Sequence, residues 1–411
     1  LITVSGTVFS VTIVALQLAS SQFTPRVLRS FVADRVNQSV LGIFIGTFTY
    51  TLLVLRTIHT RADGQPTFVP QLGVLIALAL LLVSIGALIV FIDHAARSIQ
   101  AEFILEREAA HTLSRIASAF PAHVGRAEPN AHDDGSRGTV HGPDDDDAPP
   151  EPPAVVRAER AGYLQAVQED GFWAAGAAGL EHAAAGEPAA GAPLTVRMEL
   201  AVGAFVFPGK AIAHVWPAAR ATPAVAAAIR AAFVIGNERT PEQDVEYGMI
   251  AVADIGVRAL SPGVNDPTTA MHAIDRLAQI LAALERAPRP GRVRVSPDGR
   301  VRLVARDTPF PRALGLAFDQ IRHYGGDNPT IAKKLLEALH DLAAIAAPAH
   351  LPALAEQIAL VERAAERAAL DPVTHADVAR LAGEARAVTR APARGRAVPA
   401  SDPPGPSPHA A

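Results

Sequence analysis

Long apolar runs alternate with polar stretches at the front of the chain, and the alternation stops near residue 93. The run Leu72–Ile92 (LGVLIALALLLVSIGALIVFI) carries no charge and, at about 1.5 Å per helical residue, is long enough to cross a bilayer. Two further apolar segments, Leu1–Leu18 and Val40–Leu55, precede it, so the pattern predicts three crossings. Between the first two lies SQFTPRVLRSFVADRVNQ, where Thr24 can cap a helix with Pro25 in its first turn. Leu28, Phe31, Val32 and Val36 then share a face, away from Arg26, Arg29 and Asp34. This reads either as an amphipathic helix lying in the headgroup zone or as an ordinary basic loop.

Beyond residue 92 the pattern becomes that of a water-soluble protein. Ile99, Phe103, Ala110 and Leu113 prolong a helical spacing as far as Pro121 and predict a stalk. Residues 121–153 are rich in Pro, Gly and Asp and nearly devoid of large apolar side chains, so they cannot bury enough surface to offset their ordering entropy. Then come candidate strands in VVRAERAGYLQAV, TVRMEL and FVFPGKAIAHVW. Their glycines and alternating apolar positions are spaced as in a small barrel or sandwich, with a shape likeness to the half-motif of lipoyl-like and biotinyl-like barrels at Gly209 and Lys210. Pro297, Asp298 and Gly299 turn a hairpin in VRVSPDGRVRLV. Asp327 and Asn328 before Pro329 cap a helix, and amphipathic patterns follow over about 351–370 and 371–389.

The expected fold class is an α-helical membrane domain, with three crossings present and its N-terminus truncated, plus an α+β soluble domain with a small β-barrel or sandwich and C-terminal helices. Its parts are a transmembrane domain over 1–92, a helical stalk over 93–120, a disordered linker over 121–153, a small β-rich domain over 154–220, a mainly helical α+β domain over 221–389 and a disordered tail over 390–411. Truncation is expected because the chain opens inside an apolar run and methionine occurs at 198, 249 and 271. The opening run also lacks the basic start of a signal peptide.

Composition narrows the function classes. A formal net charge of -4 over 411 residues, without a basic tract, argues against a nucleic-acid partner. The absence of cysteine excludes disulfides, thiol nucleophiles and thiolate metal sites. Arg26, Arg29 and Arg35 before the second crossing, and Arg97, Arg107 and Arg115 after the third, outnumber Arg56 and Arg61 between them. Positive residues are retained on the inner side, so the C-terminal part is expected in the cytoplasm.

Candidate chemistry is sparse. In the first crossing Thr3, Gly6, Thr7, Ser10 and Gln17 share one side of a helical wheel, either as a packing face or as the lining of a hydrated path. Gly42 and Gly46 form a small-xxx-small pair. His123, His132 and His141 lie beside Asp144–Asp147 without the spacing of a standard metal site, and His323 and Tyr324 mark a helix end. The densest polar constellation is IGNERTPEQDVEYGMIAVADIGVRALSPGVNDPTTAMHAIDRLAQILAALE. Thr240 with Pro241 is expected to open one helix and Asp266 with Pro267 the next, with Asp254 and Arg258 one turn apart. Arg239, Asp244, Glu246, Asp254, Arg258, Asn265 and Asp266 are therefore expected to converge. Two readings stand: an anion or ligand site at the second helix's N-terminus, or a helix hairpin fixed by caps and ion pairs.

The stretches SGTVFSVTIVALQLASSQFTPRVLRSF, LGIFIGTFTYTLLVLRT, RTPEQDVEYG and RALSPGVNDPTTA, in that order, resemble the bacterial membrane protein family called domain of unknown function 2254. The resemblance runs to about residue 350 and implies crossings followed by a soluble domain, with no established reaction. No Gly-Lys-Ser or Gly-Lys-Thr phosphate loop, His-Glu-x-x-His zinc motif or Gly-x-Ser-x-Gly elbow occurs, so no enzyme activity, cofactor or metal is expected. The leading expectation is a membrane protein, oligomeric through its small-residue faces, that forms a pore or transport-like assembly with a cytoplasmic regulatory domain. The alternative is a membrane-tethered sensor or scaffold for a small anion or protein partner. A hydrolase or transferase using Asp244, Glu246 or His272 ranks third.

Overall fold

The computed structural model describes residues 6, 35–58, 69–98, 100–116, 126–127, 151–181, 193–287, 293–306, 308–368 and 370–390. The chain divides into two compact units, one of residues 1–108 and 254–273, the other of residues 109–253 and 274–411.

In the first unit, α1 (Arg35–Arg56) and α2 (Gln71–Ser98) pack against each other. Each contains a stretch long and apolar enough to cross a membrane, Gln38–Arg56 and Gln71–His94. They meet through Val40, Phe44 and Phe91, which are buried, while Leu52, Leu53, Leu75, Leu78, Leu82 and Ile89 stand exposed. Between them the buried Ser84 Oγ donates to Thr47 Oγ1 at 3.1 Å, and Tyr50 Oη donates to the Gly73 carbonyl at 3.4 Å. The expected first crossing, with Thr3, Thr7, Ser10 and Gln17, and most of the amphipathic segment after it lie outside the described residues. The expected stalk contains α3 (Ala101–Ile116), a helix separate from α2.

The second unit is built on a mixed sheet. In chain order its strands and flanking helices are β1 (Arg126–Ala127), β2 (Ala154–Arg157), β3 (Gly162–Val167), α4 (Glu169–Glu181), β4 (Leu194–Met198), β5 (Phe205–Val206), β6 (Ala211–Trp216), α5 (Pro223–Ala232) and β7 (Phe233–Gly236). After them come α6 (Val245–Ala259) and α7 (Pro267–Arg286), which contribute residues to both units, then β8 (Val293–Val295) and β9 (Val301–Val304). The helices α8 (Phe310–Gly325), α9 (Pro329–Ile345), α10 (Leu351–Arg367) and α11 (Pro372–Arg390) complete the described fold.

The strands form a six-stranded sheet, ordered β1-β8-β9-β4-β6-β2, and a three-stranded sheet, ordered β5-β3-β7. Among the described residues all pairings are antiparallel except β4 with β9, whose register sets Val196 opposite Leu303. The described strands of residues 154–216 are divided between these two sheets and do not close into a barrel, one of the two expected forms, barrel or sandwich. The stretch FVFPGKAIAHVW is not a hairpin: β5 pairs with β3, whereas β6 pairs with β4 and β2, so the turn between them passes from one sheet to the other. Lys210 sits in that turn with its Nζ donating to the Phe205 carbonyl at 2.7 Å, unlike a cofactor-bearing lysine at a hairpin tip.

One core lies under α4 and α5, where Phe172 and Ile229 pack with Leu164, Val196, Val215 and Leu303 from both sheets. The two helices approach so closely that a Cβ on Gly171 would lie 2.6 Å from the Ala232 nitrogen. Among the C-terminal helices, Phe318, Leu335, Leu339, Leu354 and Ile358 are fully buried. The hairpin forms as its turn residues dictate, with Gly299 at φ +73° and Ser296 N donating to the Val301 carbonyl at 2.9 Å. Of the expected 121–153 linker, Arg126–Ala127 pairs with β8 and residues 151–153 are described; the rest, like the tail from 391, lies outside the described residues.

Candidate functional site

The constellation does not begin its helix where Thr240 and Pro241 suggest. α6 starts at Val245, and its cap is Asp244, whose Oδ1 accepts the Tyr247 N–H at 3.0 Å. Tertiary contacts hold residues 239–244 out of the helix. Gln243 grips the end of β3 by accepting from Val167 N at 2.9 Å and donating to Val167 O at 3.2 Å. Arg239 closes the loop as a fork, with Nε to Asp244 Oδ2 at 2.8 Å and Nη2 to Asp244 Oδ1 at 2.9 Å.

Glu246, one residue into α6, joins the same cluster. Its Oε1 accepts from Arg312 Nε at 2.6 Å and Thr308 Oγ1 at 2.8 Å, its Oε2 from Arg312 Nη2 at 2.9 Å, and Arg239 Nη2 stands 3.7 Å away. The side chains of Asp244 and Glu246 are 1% and 6% exposed, which makes pairing obligatory. Gly203 covers the cluster at φ +88°, and a Cβ there would overlap the Asp244 carboxylate and the Arg239 guanidinium.

Two carboxylates and two guanidiniums cancel in charge, and the environment splits the acids. Burial pushes the Asp244 carboxyl above the ordinary aspartate range, and Arg239 only partly offsets it. Glu246 feels the same upward push from burial, but hydrogen bonds from Arg312 and Thr308, with the charges of Arg312 and Arg239, hold it below the ordinary glutamate range. All four carboxylate oxygens have protein donors. Chemically the arrangement is a clamp between the loop after β7, the start of α6 and the start of α8.

Of the residues singled out in the sequence, the structure brings together Arg239, Asp244 and Glu246. Asp254 and Arg258 lie one turn apart on the later part of α6, and Arg258 is exposed. Asn265 takes a left-handed φ of +48°, and Asp266 caps α7 as expected, accepting from Thr269 N at 3.1 Å. The Thr269 hydrogen bond holds the Asp266 carboxyl below the ordinary range against a smaller upward push from burial, with His272 adding a downward pull. The N-terminus of α7, read as an anion site, thus already holds a carboxylate of its own chain. His323 and Tyr324 pack edge to face, with ring centroids 5.2 Å apart. The His and Asp cluster of residues 123–147 lies outside the described residues.

Sequence reasoning missed Arg312, Thr308 and Gly203, and also a second buried tie. Glu285 accepts from Ala347 N at 2.6 Å and pairs with His350 Nδ1 at 2.7 Å, while the His350 ring stacks on Phe310 at 4.4 Å. Neither group lies in a local motif.

A pair of helices of membrane-crossing length, in one chain with a mixed-sheet α/β unit, defines the class of the molecule. The family model described as Predicted membrane protein (DUF2254) matches residues 1–341, and the chain belongs to that family. It is also 34% identical over 401 residues to an uncharacterised protein of Mycobacterium bovis, covering 95% of this chain and 71% of the relative. Uncharacterised proteins from two strains of Mycobacterium tuberculosis match at the same identity and coverage. No solved structure matches.

Proposed function

We propose that this is a multi-pass protein of the bacterial plasma membrane whose α/β unit stands in the cytoplasm as a tethered binding or scaffolding module rather than an enzyme. The observation that carries the membrane reading is the surface of the α1–α2 pair. A core helix of a soluble protein hides its apolar side chains, but here Leu53, Leu75, Leu82 and Ile89 are each more than half exposed. Orientation follows from the excess of arginine before α1 and after α2 over that between them. The non-catalytic reading is supported by the clamp, whose carboxylates are already engaged by Arg239, Arg312, Thr308 and a backbone N–H.

Two measurements test this. The chain is expected to stay in the membrane after carbonate extraction, and a C-terminal tag is expected to resist external protease until cells are permeabilised. Release by carbonate, or cleavage on intact cells, would overturn the anchoring or the orientation respectively. A second reading, an oligomeric pore-like assembly, is favoured by Gly42, Gly46 and Gly86, where a Cβ would meet nothing within 4 Å. Such open small-residue positions allow another helix to approach closely. A stable oligomer with conductance in planar bilayers is its expected outcome, and a silent monomer would remove it.

A further inference from the structure

The geometry points to a second membrane contact, made by the α/β unit itself: an aromatic and basic patch at the β5–β6 turn that docks on the surface of a bilayer containing anionic phospholipid. The inference rests on the reading that the chain is anchored in a membrane.

The patch is built from two turns stapled together. Phe207–Lys210 is a tight turn closed by Lys210 N donating to the Phe207 carbonyl at 3.0 Å, with Pro208 at its second position and Gly209 at φ +90°. The β2–β3 loop runs beside it: Gly209 N donates to Ala158 O and Ala158 N to Lys210 O, each at 2.9 Å, and Arg157 Nη1 reaches Gly209 O at 2.8 Å. This fixed frame holds Phe205 and Phe207 outward, 50% and 53% exposed. The Phe205 ring leans edge-on against Tyr163, with centroids 5.1 Å apart. Two half-exposed phenylalanines on one turn leave apolar surface that a covering phase would remove from water.

The surrounding charge selects the covering surface. Lys210 lies over the Phe207 ring at 5.7 Å, and Arg157, Arg160 and Arg230 line the adjoining loop and helix end. Glu159, paired with Arg230 at 3.1 Å, is the acid among them. Beside the turns a shallow cleft is lined by the exposed Glu159 and Arg160 and by the buried Ile212 and Phe233. Aromatic side chains that enter the interface, rimmed by guanidinium and ammonium groups that meet phosphate, match an anionic bilayer surface.

The test uses the full chain, whose lack of cysteine makes an introduced thiol unique. Pro208→Cys, an exposed turn position beside the two rings, carries a polarity-sensitive fluorophore and is reconstituted in nanodiscs of phosphatidylcholine alone or mixed with phosphatidylglycerol. In mixed discs the label should shift to the blue and be quenched by brominated acyl chains. Both effects should weaken with salt and fall several-fold with Arg160→Glu. The same label at Val373→Cys, a site 74% exposed on α11, should report water throughout. An aqueous label at 208 in both compositions overturns the proposal. So does a blue shift without bromine quenching, which means that a second copy or another protein covers the turn. If the chain does not enter discs, the anchoring reading fails separately, and vesicle flotation decides the patch: co-flotation with phosphatidylglycerol vesicles and bromine quenching support it, and absence of either overturns it.

Discussion

The α1–α2 pair and the α/β unit place the same kinds of side chain on opposite sides. In the helix pair leucines, isoleucines and valines make up the large exposed apolar side chains, and a hydroxyl pair, Ser84 with Thr47, is sealed between the helices. In the α/β unit Phe172, Leu194, Phe318 and Leu339 are sealed, and most charged groups face water. One rule accounts for both, because apolar surface leaves water wherever an apolar phase exists: inside the fold for one region, outside it for the other. The comparison also isolates what breaks the pattern. Asp244 and Glu246 are buried acids in the α/β unit, and Phe205 and Phe207 are exposed rings on it. Each exception has a compensating partner in the fold or implies one outside it.

The largest expected effect comes from uncovering a buried charge. Arg239→Leu removes both donors from the Asp244 fork and should destabilise the α/β unit by about 3–5 kcal/mol at neutral pH. Urea unfolding of the detergent-solubilised chain reports on this unit directly, since Trp173 and Trp216 both lie in it and the chain has no other tryptophan. The pH dependence has a definite sign. Burial already raises the Asp244 carboxyl, and losing Arg239 removes its main downward pull, so acid relieves the variant by protonating Asp244 and the gap to the parent narrows as pH falls. In the parent the two acids act oppositely. Glu246, held low, contributes stability that is present above its unfolded pKa and lost as pH falls through the folded value; Asp244, held high, favours the fold below its unfolded pKa and loses that contribution as pH rises through the folded value. A gap that is flat with pH would mean that Asp244 is not the group left exposed.

Next in size is a pair of substitutions at positions alike in exposure and unlike in surroundings. Leu82 on α2 and Val373 on α11 are 62% and 74% exposed. Leu82→Arg should cost about 2.5–3.5 kcal/mol of membrane insertion and move the chain into the carbonate-released fraction. Val373→Arg should stay within about 0.5 kcal/mol and leave the distribution unchanged. Equal behaviour of the two would erase the contrast between the regions.

How much of this was legible depended on how far each partner lies along the chain. The apolar runs behind α1 and α2, the Pro297-Asp298-Gly299 turn, the Asp266–Pro267 start of α7 and the Asn328–Pro329 start of α9 are local signals, and each stands where the sequence places it. The start of α6 falls four residues beyond the local Thr240–Pro241 signal, at a cap, Asp244, that no local pattern singles out. The choice between Thr240 and Asp244 is made by Arg239, Gln243 and the end of β3, not by propensity. Of the expected barrel or sandwich, the barrel is not seen among the described strands for a related reason, since β4 takes its parallel neighbour from β9. No alternation of apolar positions specifies a partner strand so far away. Arg312 is 66 residues from Glu246 and sits in TPFPR, a stretch with no motif, so half of the clamp was invisible. Exposure of Phe205 and Phe207 was equally hidden, because FVFPGK reads as strand and turn until the sheets are known.

A smaller effect tests how tightly the clamp is roofed. Gly203 occupies a left-handed φ of +88°, and a methyl group would overlap Asp244 and Arg239. Gly203→Ala should therefore cost about 1–3 kcal/mol in the same tryptophan-detected unfolding. Gly209→Ala shares the positive φ, at +90°, but meets nothing within 4 Å, so it separates backbone strain from overlap with the clamp. Equal losses at the two positions would assign the whole cost to φ.

The smallest expected effect lies in the helix pair. Ser84 Oγ is hydrogen bonded to Thr47 Oγ1 at 3.1 Å and to the Leu80 carbonyl of its own helix at 2.9 Å. Because the helical carbonyl remains bonded to the backbone when Ser84 becomes Ala, the change removes one interhelical contact and strands no charge. In a bilayer such contacts average about 0.6 kcal/mol, since the separated helices find other partners for their hydroxyls. A double-mutant cycle of Ser84→Ala with Thr47→Val, read as resistance of the full chain to unfolding in mixed micelles, should give a coupling of about that size. A coupling several times larger would mean that the hydroxyls, and not the packing of Val40, Phe44 and Phe91, hold α1 to α2. The helix pair would then rely on buried polar partners as the clamp does, and the two regions would differ in their solvent but not in what ties them together.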